Sequence, residues 1–394
     1  MATTTVDIFN NHRTFYVPQF QVSIAGKTLK EGLLRDVMQV TYRDSVEEID
    51  SFELVVNNWD AGVRQPQPKY EPNSRPEFAG IFDPGQKLEL RMGYMPEMFL
   101  MLTGEITTLE PNFPEASYST LSVRGLNVLH ALRTEQHTDS WPNTKDSDIA
   151  ADLGNRSLQP GKAGLGIKVV TNPAKDETAE TFVMMDNQYD IVFLLQRARR
   201  HGYEVVLNEV SPTNPERNIY FGPSSTKRET AVCRLVWGKT LTSFKPKLDT
   251  GRQISEVIVR GWDRKNNKLI EEKMSWKDLV PAGPEQQRLQ LISQAFGNRK
   301  EVITNQPVRT SAEAKQKATD LLTRQLRNVV VANGVTVGLP DLRAGRKVQI
   351  EGLGDRYSGT YYITSTTHTI GEGGYRTQFE ARRDPADQQP GGSK

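Results

Sequence analysis

The first third of the chain alternates apolar and polar residues, which is the pattern of half-buried antiparallel strands. The segments with this pattern are 16–25, 37–44, 51–57, 86–93, 98–109 and 117–124. A polar, proline-rich stretch between Pro66 and Pro84 predicts a long exposed loop. A short helix is expected at 126–133, opened by Gly125. Several strands with a terminal helix predict a small barrel or a curled sheet.

The middle of the chain mixes helical and strand patterns. A period of 3.6 residues at 188–202 predicts an amphipathic helix that Asp186 or Asn187 could cap and that Gly202 ends. A shorter helix is expected at 147–156. The strands expected in this region are 203–208, 218–222 and 233–237. These elements predict a small α+β insert.

Strand patterns return after residue 241, and they surround a second well-signalled helix. Thr310 and Glu313 form the sequence of a capping box for a helix over 311–327. A further short helix is expected at 287–296, and 329–339 is typical of a strand. Within that strand Asn333-Gly334 could make either a tight hairpin or a bulge. Total helix content should be low, about a fifth of the chain.

These changes of pattern predict a mainly β chain with four parts. The predicted parts are a first β-barrel domain at 1–133, an α+β insert at 134–238, a second β-barrel domain with an embedded helix at 239–383, and a disordered tail at 384–394. The tail is assigned because its last residues carry no apolar patch that could hold them on a core.

The two predicted β domains share a sequence pattern. GRKVQIEGLG (345–354) lies 260 positions after GQKLELRMGY (85–94), and each block is followed by two further alternating strands. Gly85 matches Gly345 and Lys87 matches Lys347. Leu121, Val123 and Arg124 match Phe379, Ala381 and Arg382 at a shift of 258. A small β unit folded twice predicts pseudo-symmetry, which is more typical of ring-forming structural proteins than of catalysts.

Composition narrows the possible classes of protein. The 394 residues carry a formal net charge of +2, so no global field would recruit nucleic acid or an anionic membrane. The single cysteine, Cys233, lies in an apolar run and is expected to be a small buried hydrophobe. The N-terminus has no signal-peptide pattern, and no apolar run approaches the ~20 residues that span a bilayer.

Catalytic, cofactor and metal signatures are not found, so we predict no catalytic residue, no cofactor and no metal. The five histidines form no metal-binding spacing. Gly238-Lys239-Thr240 resembles the end of a phosphate-binding loop, but Cys233 stands where that loop needs its first glycine. The arginines at 197, 199 and 200 could meet phosphates or a partner's carboxylates, although a solvated helix end is the simpler interpretation. Tyrosines at 357, 361 and 362 could form a ligand face or ordinary strand packing.

The C-terminal block makes the resemblance to a family specific. LPDLRAGRKVQIEGLGDRYSGTYYITSTTHTIGEGGYRTQFEARRD (339–384) resembles the end of the late control protein D family, the baseplate hub proteins of contractile phage tails. The same hub forms the N-terminal part of type VI secretion spike proteins and occurs in extracellular contractile injection systems. YVPQFQVSIAGKTL (16–29) and VTYRDSVEEIDSFELVVNNWD (40–60) are similar to the opening of the family. The resemblance covers most of residues 16–383.

The resemblance implies a fold and a role. Family members carry two related β-barrel domains, so that three chains give a pseudo-hexameric ring. That homotrimer adapts a sixfold inner tube to a threefold spike and forms part of the central channel. The implied partners are the inner tube protein, the spike and baseplate wedge components, with no nucleic acid specificity and no stable membrane insertion. Assembly would occur in the bacterial cytoplasm before any release of the particle.

One departure from the family concerns the spike. In fused spike proteins an additional barrel and a long β-helix follow the hub, whereas this chain stops at Lys394 with no repeating β-helix segment. The sequence therefore predicts a separate spike polypeptide. It leaves open whether the host assembly is a phage tail, an R-type bacteriocin or an injection particle.

The matched strands supply the candidate interface residues. Alternation places Leu88, Leu90, Val348 and Ile350 toward a core. The residues predicted to face outward, and hence a ring interface or the channel, are Lys87, Glu89, Arg91, Lys347, Gln349 and Glu351. Two other functions remain as alternatives: a tail-associated cell-wall hydrolase and a carbohydrate-binding module.

Overall fold

The computed structural model describes residues 17–384 with ten gaps. These gaps are 61, 63–66, 116, 134, 157–164, 175–176, 212–213, 225–230, 252 and 306–307. The chain is mainly β, with 48% strand and 20% helix. This helix content confirms the low value predicted from the sequence.

The first part of the chain is built almost entirely of strands. Its strands are β1 (Pro18–Ile24), β2 (Lys27–Thr28), β3 (Val37–Ser45), β4 (Ser51–Asn57), β5 (Trp59–Asp60), β6 (Gln67–Pro68), β7 (Lys87–Tyr94), β8 (Glu97–Asn112) and β9 (Thr120–Asn127). Its helices are the single turns α1 (Glu31–Leu34) and α2 (Val128–Ala131). The predicted strands therefore form. The predicted helix at 126–133 is shorter than expected, because β9 continues through Gly125 to Asn127.

The middle part contains both predicted helices and three strands, β10 to β12, that the patterns did not indicate. Its elements are β10 (His137–Thr144), α3 (Asp146–Asn155), β11 (Val169–Thr171), β12 (Glu180–Gln188), α4 (Asp190–His201), β13 (Glu204–Asn208), β14 (Asn218–Gly222) and β15 (Cys233–Val236). Gly202 ends α4 in the left-handed region, as predicted, at φ 65°. The predicted caps Asp186 and Asn187 instead lie in β12, and α4 begins after Tyr189 without a side-chain cap.

The last part returns to strands around the longest helix. Its elements are β16 (Leu241–Leu248), β17 (Glu256–Asp263), β18 (Lys268–Ser275), α5 (Trp276–Leu279), α6 (Pro284–Phe296), β19 (Lys300–Ile303), α7 (Ser311–Arg327), β20 (Val330–Val337), β21 (Lys347–Glu351), α8 (Gly354–Tyr357), β22 (Gly359–Gly371) and β23 (Gly374–Arg382). Thr310 caps α7 by accepting from the Glu313 amide at 3.1 Å. Asn333-Gly334 makes neither hairpin nor bulge, because β20 runs straight through it.

One 13-stranded sheet links the first and last parts of the described chain. Its order is β16-β20-β23-β22-β3-β4-β9-β8-β7-β1-β2, with β21 on β22 and β15 on β21. The order β3-β4-β9-β8-β7 in the first part therefore recurs as β16-β20-β23-β22-β21 in the last. This recurrence is the structural counterpart of the sequence repeat.

The two sets of strands also share their irregularities. The β3–β4 ladder slips between Val37 and Gln39, and the β16–β20 ladder slips between Leu241 and Ser243. The β8–β9 ladder slips between Ile106 and Thr108, and the β22–β23 ladder slips between Ile363 and Ser365. Since β-bulges re-aim strands at defined positions, the two units bend in the same places.

The turn before β7 is repeated before β21. The Gly85 amide donates to the Ile106 carbonyl at 2.8 Å, and the Gly345 amide donates to the Ile363 carbonyl at 2.9 Å. Both glycines have positive φ, at 87° and 81°. Gly85 therefore matches Gly345 as predicted.

The bulges correct the predicted alignment of the last strands. They place Val123 opposite Leu109 in one unit and Phe379 opposite Thr366 in the other, so that Val123 corresponds to Phe379. The predicted match of Val123 with Ala381 is displaced by two residues. A displacement of two keeps side chains on the same face, which is why the apolar pattern concealed it.

The embedded helix does not disturb the repeat. Helix α7 and the β17–β18–β19 sheet lie in the connection between β16 and β20, where the first unit has only the short turn between β3 and β4. The buried Ala314, Ala318 and Leu322 of α7 pack into the same hydrophobic cluster as Phe379 and Tyr361. Helix α7 therefore covers the β16-β20-β23-β22-β21 strands without interrupting their order.

Two segments differ from the simple expectation of exposure. The proline-rich segment contains Tyr70 and Phe82, which are buried in the first core. Asp384, the first residue of the predicted tail, is also buried and accepts from Arg382 at 2.8 Å. Residues 385–394 of that tail lie outside the described residues.

Candidate assembly interface

The predicted interface residues on β7 face away from the first core. Lys87 and Glu89 are exposed, Arg91 is half-buried, and Leu88 and Leu90 between them are buried. Arg91 and Glu89 approach to 3.9 Å, which is a weak pair on an exposed surface. This strand presents a charged stripe to its surroundings.

The matched strand β21 is more enclosed. Val348 and Ile350 are buried as predicted, but Lys347 is also buried, which corrects its predicted outward exposure. Gln349 accepts from the Thr360 hydroxyl at 2.9 Å, and Glu351 lies 3.6 Å from Arg234. One reason for the difference is local. Strand β21 has β15 alongside it in parallel, with the Val232 amide bonded to the Lys347 carbonyl at 2.8 Å.

The two repeated units meet where β3 pairs with β22. The ladder is antiparallel and runs from Ser45 opposite Ser365 to Val40 opposite Ile370. Beside it, Arg343 donates to the Asp44 carboxylate at 2.8 Å and to the Met101 carbonyl at 2.8 Å. The Asp44 carboxylate also accepts from the Ala344 amide and the Thr366 hydroxyl. One buried ion pair thus bonds strands from both units.

Electrostatics at this junction depend on a second carboxyl group. Burial, together with the nearby Asp44 carboxylate, raises the pKa of Asp50 to about 7 against the lowering effect of Arg343. Burial likewise lowers the pKa of His368 to about 4. His368 is therefore neutral at pH 7, with its ring nitrogens near the Leu342 carbonyl and the Tyr375 hydroxyl. The junction is a polar network within the sheet, which sequence patterns did not indicate.

Two further ion clusters link the middle part of the chain to the second unit. In the first, Arg382 contacts the carboxylates of Glu204 and Asp384, and its guanidinium lies 4.9 Å from the centre of the Tyr362 ring. In the second, the ring of His201 lies between Asp146 at 2.6 Å and Asp320 of α7 at 2.9 Å. Both clusters therefore link elements far apart in sequence.

The second cluster contains the one set of potential metal ligands found among the described residues. Asp146, Glu180 and His201 offer ligand atoms within 4.8 Å of one another. Arg197, however, already lies 2.7 Å from Asp146 and 2.8 Å from Glu180. Burial alone would lower the pKa of His201, but hydrogen bonds and charge from Asp146 and Asp320 raise it to about 9. Since Arg197 and His201 already pair with these carboxylates, the cluster forms an ion-pair network in this structure.

This network makes a pH-dependent prediction. Because the folded-state pKa of His201, about 9, lies above its ordinary value of 6.5, the protonated ring stabilises the fold. That contribution is complete below pH 6.5 and is lost as pH rises through about 9. We expect the difference in unfolding free energy between the natural chain and His201→Gln to shrink over this range, measured by urea denaturation. A pH-independent difference would contradict the assignment.

Other candidate groups have intramolecular roles. Arg199 donates to the Glu47 carbonyl at 2.9 Å, and Arg200 lies 3.2 Å from Glu180. Tyr361 and Tyr362 are buried, so ordinary strand packing is the correct interpretation of that aromatic cluster. Cys233 is a buried free thiol, as predicted. Among the helices of the described residues, none has the length and apolar character needed to cross a membrane.

Comparison with known structures identifies the fold. The 43 kDa tail protein of prophage MuSo2 from Shewanella oneidensis is similar at a TM-score of 0.64 and 15% identity, covering 94% of this chain and 99% of that chain. A tail protein from Neisseria meningitidis MC58 is similar at a TM-score of 0.62 and 12% identity, covering 94% of this chain and 97% of that chain. The E. coli c3393 protein, a component of the type VI secretion system, is similar at a TM-score of 0.54 and 12% identity, covering 95% of this chain and 80% of that chain.

Sequence comparison adds the family. A search of curated proteins gives no match. A family model described as the Alg8 N-terminal domain matches residues 16–372, a span that runs from β1 through β22 and stops before β23. The chain therefore belongs to the Alg8 N-terminal domain family, and it shares its fold with phage tail and type VI secretion proteins.

Proposed function

We propose that the protein is a structural hub of a contractile tail or injection system, not an enzyme. In this role it forms a homotrimer that adapts a sixfold inner tube to a threefold spike and surrounds part of the central channel. The observation that carries the proposal is the repeated five-strand order, with bulges at matching positions in both units. Two similar units per chain allow three chains to offer six quasi-equivalent contacts.

The fold relationships support the same role. The similar solved structures are described as tail proteins and as a type VI secretion component. In a particle of this kind the partners would be the tube protein, the spike and baseplate wedge components. We infer that both repeated units are curled into barrel domains. We place the start of the second unit before β15, since Cys233 and Leu235 pack in the second core.

The exposed stripe on β7 is the proposed ring-interface or channel-facing surface. Lys87 and Glu89 are accessible in the single chain, whereas Lys347 is buried and the neighbouring Gln349 and Glu351 are half-buried. We therefore expect Lys87→Glu to leave the unfolding free energy within about 0.5 kcal/mol of the natural value while weakening assembly. Lys347→Glu should lower stability first. Unchanged assembly by light scattering in the Lys87 variant would remove this residue from the interface.

Solution mass and imaging test the hub itself. The expected result is a trimer by light scattering and a six-lobed ring with a central hole by electron microscopy, alone or co-expressed with a tube protein. A chain that stays monomeric in both preparations would overturn the proposal.

A further inference from the structure

Two of the edges that lack a neighbouring strand in the described part of the large sheet belong to the last residues of β8 and to β16. Strand β7 begins only at Lys87, opposite Glu105, so residues 107–112 of β8 pair only with β9. At the other end of the sheet, β16 pairs along its length only with β20. An edge with unpaired main-chain groups is a template for another strand.

The repeat shows that these two edges correspond to edges that are paired within the chain. Strand β16 is the counterpart of β3, because both are end strands of the repeated order and slip at the same position. Strand β8 is the counterpart of β22 by the same argument. In the chain, β3 pairs antiparallel with the second half of β22. The open edges of β16 and β8 are therefore equivalent to the two strands of the β3–β22 junction, but within one chain they do not meet.

We propose that β16 of one copy pairs antiparallel with residues 108–113, the end of β8 and the residue after it, in the next copy, in the register of the β3–β22 junction. Applying that register puts Leu248 opposite Leu109 and Phe244 opposite Phe113. The partner is thus a second copy of this chain. The inference rests on the proposed ring and names the strands that close it.

The side chains of the two edges are complementary in this register. Residues 109–113 read Leu-Glu-Pro-Asn-Phe, and residues 248–244 read Leu-Lys-Pro-Lys-Phe in the reverse direction. On one face of the ladder, leucine therefore lies opposite leucine, proline opposite proline and phenylalanine opposite phenylalanine. The Phe113 side chain is 61% exposed in the single chain, so pairing would remove an exposed aromatic ring from water. On the other face Lys247 would meet Glu110.

The charges on the two edges favour pairing between unlike edges over pairing between identical edges. Glu110 and Glu53 share a single cation, Arg124, at 2.7 and 2.8 Å, which leaves one negative charge in excess. On the other edge two lysines, at 245 and 247, are accompanied by Asp249, which lies 3.4 Å from Lys247. Opposite charges on cross-strand neighbours stabilise pairing. Pairing of one edge with a copy of itself would instead oppose like charges.

The prolines define which main-chain bonds can form. The Asp249 amide donates to the Val329 carbonyl of the neighbouring chain segment at 2.9 Å, so the even-numbered groups of β16 point to the open edge. Pro246 and Pro111 would then face each other and donate no bond. The ladder is expected to bond at the leucine and phenylalanine pairs on either side. Prolines on an open edge are tolerated because their missing amides face away from the sheet, and they discourage promiscuous pairing.

A contact of this kind can close a ring. It is heterologous, because the two edges differ, and such contacts form rings when the rotation between copies closes. If the contact between chains repeats the geometry of the contact within the chain, three copies give a ring of six units in which first and second units alternate. Three copies then leave neither of these two edges open.

Engineered cysteines test the register. In the proposed ladder Glu110 and Lys247 form a non-hydrogen-bonded pair, for which a Cα separation of about 4.5 Å is compatible with a disulfide. We would oxidise the Glu110→Cys/Lys247→Cys double variant with oxidised glutathione and analyse it on a non-reducing gel. Glu110→Cys/Lys245→Cys, displaced by two residues on the same face, is the matched control. Single variants report any contribution of the natural Cys233.

The expected result is a covalent dimer and trimer in the first double variant, several-fold more abundant than in the displaced control. A trimer by light scattering without this cross-link would overturn the inference and leave the proposed hub intact. Equal cross-linking of both double variants would also overturn it, since the register would then have no effect. A monomer without cross-links would contradict both the inference and the hub.

Discussion

Replacing Arg343 with methionine is expected to lower the free energy of unfolding by about 3–5 kcal/mol, because it leaves the Asp44 carboxylate buried without its cation. The Arg343 guanidinium bonds Asp44 and the Met101 carbonyl, and it lies 4.6 Å from the centre of the Tyr42 ring. Its side chain is 16% exposed, so water can replace few of these bonds. Urea denaturation measures the loss.

A matched control separates the junction from the general effect of losing an arginine. Arg35 forms an ion pair with Glu31 on the surface, with 76% of its side chain exposed, and Arg35→Met should change stability by no more than about 0.5 kcal/mol. Adding Asp44→Asn to Arg343→Met should recover part of the loss, since it removes the unpaired charge. Equal losses in Arg343→Met and Arg35→Met would show that the junction contributes nothing beyond a surface pair.

The same junction shows what the sequence could and could not predict. Strands β3 and β22 were recognised individually, because alternation along a strand depends on its own two faces. Their pairing joins residues more than 300 positions apart, such as Ser45 and Ser365, and no local pattern encodes it. The partners of Arg343 and Arg382 were missed for the same reason. From the sequence alone a charged residue is predicted to be exposed to solvent, and only the fold shows that it is enclosed.

The repeat was predictable in outline because it is written as glycine, alternating strand and glycine. Gly85 and Gly345 both require positive φ, which makes them the most reliable markers of the matched turn. The last strands were aligned two residues out of register because a shift of two leaves each side chain on the same face, so hydrophobic alternation does not reveal it. Lys347 was predicted to be exposed because alternation within β21 does not show what covers its polar face.

Loss of Arg382 should weaken the attachment of the insert to the second unit. Arg382 contacts Glu204 of β13 and bonds Asp384 at 2.8 Å and Ser224 at 3.1 Å, and all four residues are buried. Burial raises the pKa of Asp384, but the charges of Arg382 and Arg327 and the hydrogen bonds from Arg382 and Ser224 together hold that pKa below its ordinary value. Arg382→Met would leave two buried carboxylates without this cation. We expect a loss of about 3–5 kcal/mol by urea denaturation.

The location of the damage distinguishes this effect from a general loss of stability. Glu204 opens β13, so amide exchange should accelerate in β13 and β14 before it does in β7 and β8 of the first core. Arg376, on the same strand β23 but exposed, is the matched control, and Arg376→Met should leave exchange in the insert unchanged. Arg382→Lys keeps one charge without the planar fork and should fall between the two. Uniform acceleration across both units would show that Arg382 stabilises the sheet as a whole, since attachment of the insert alone requires a local effect.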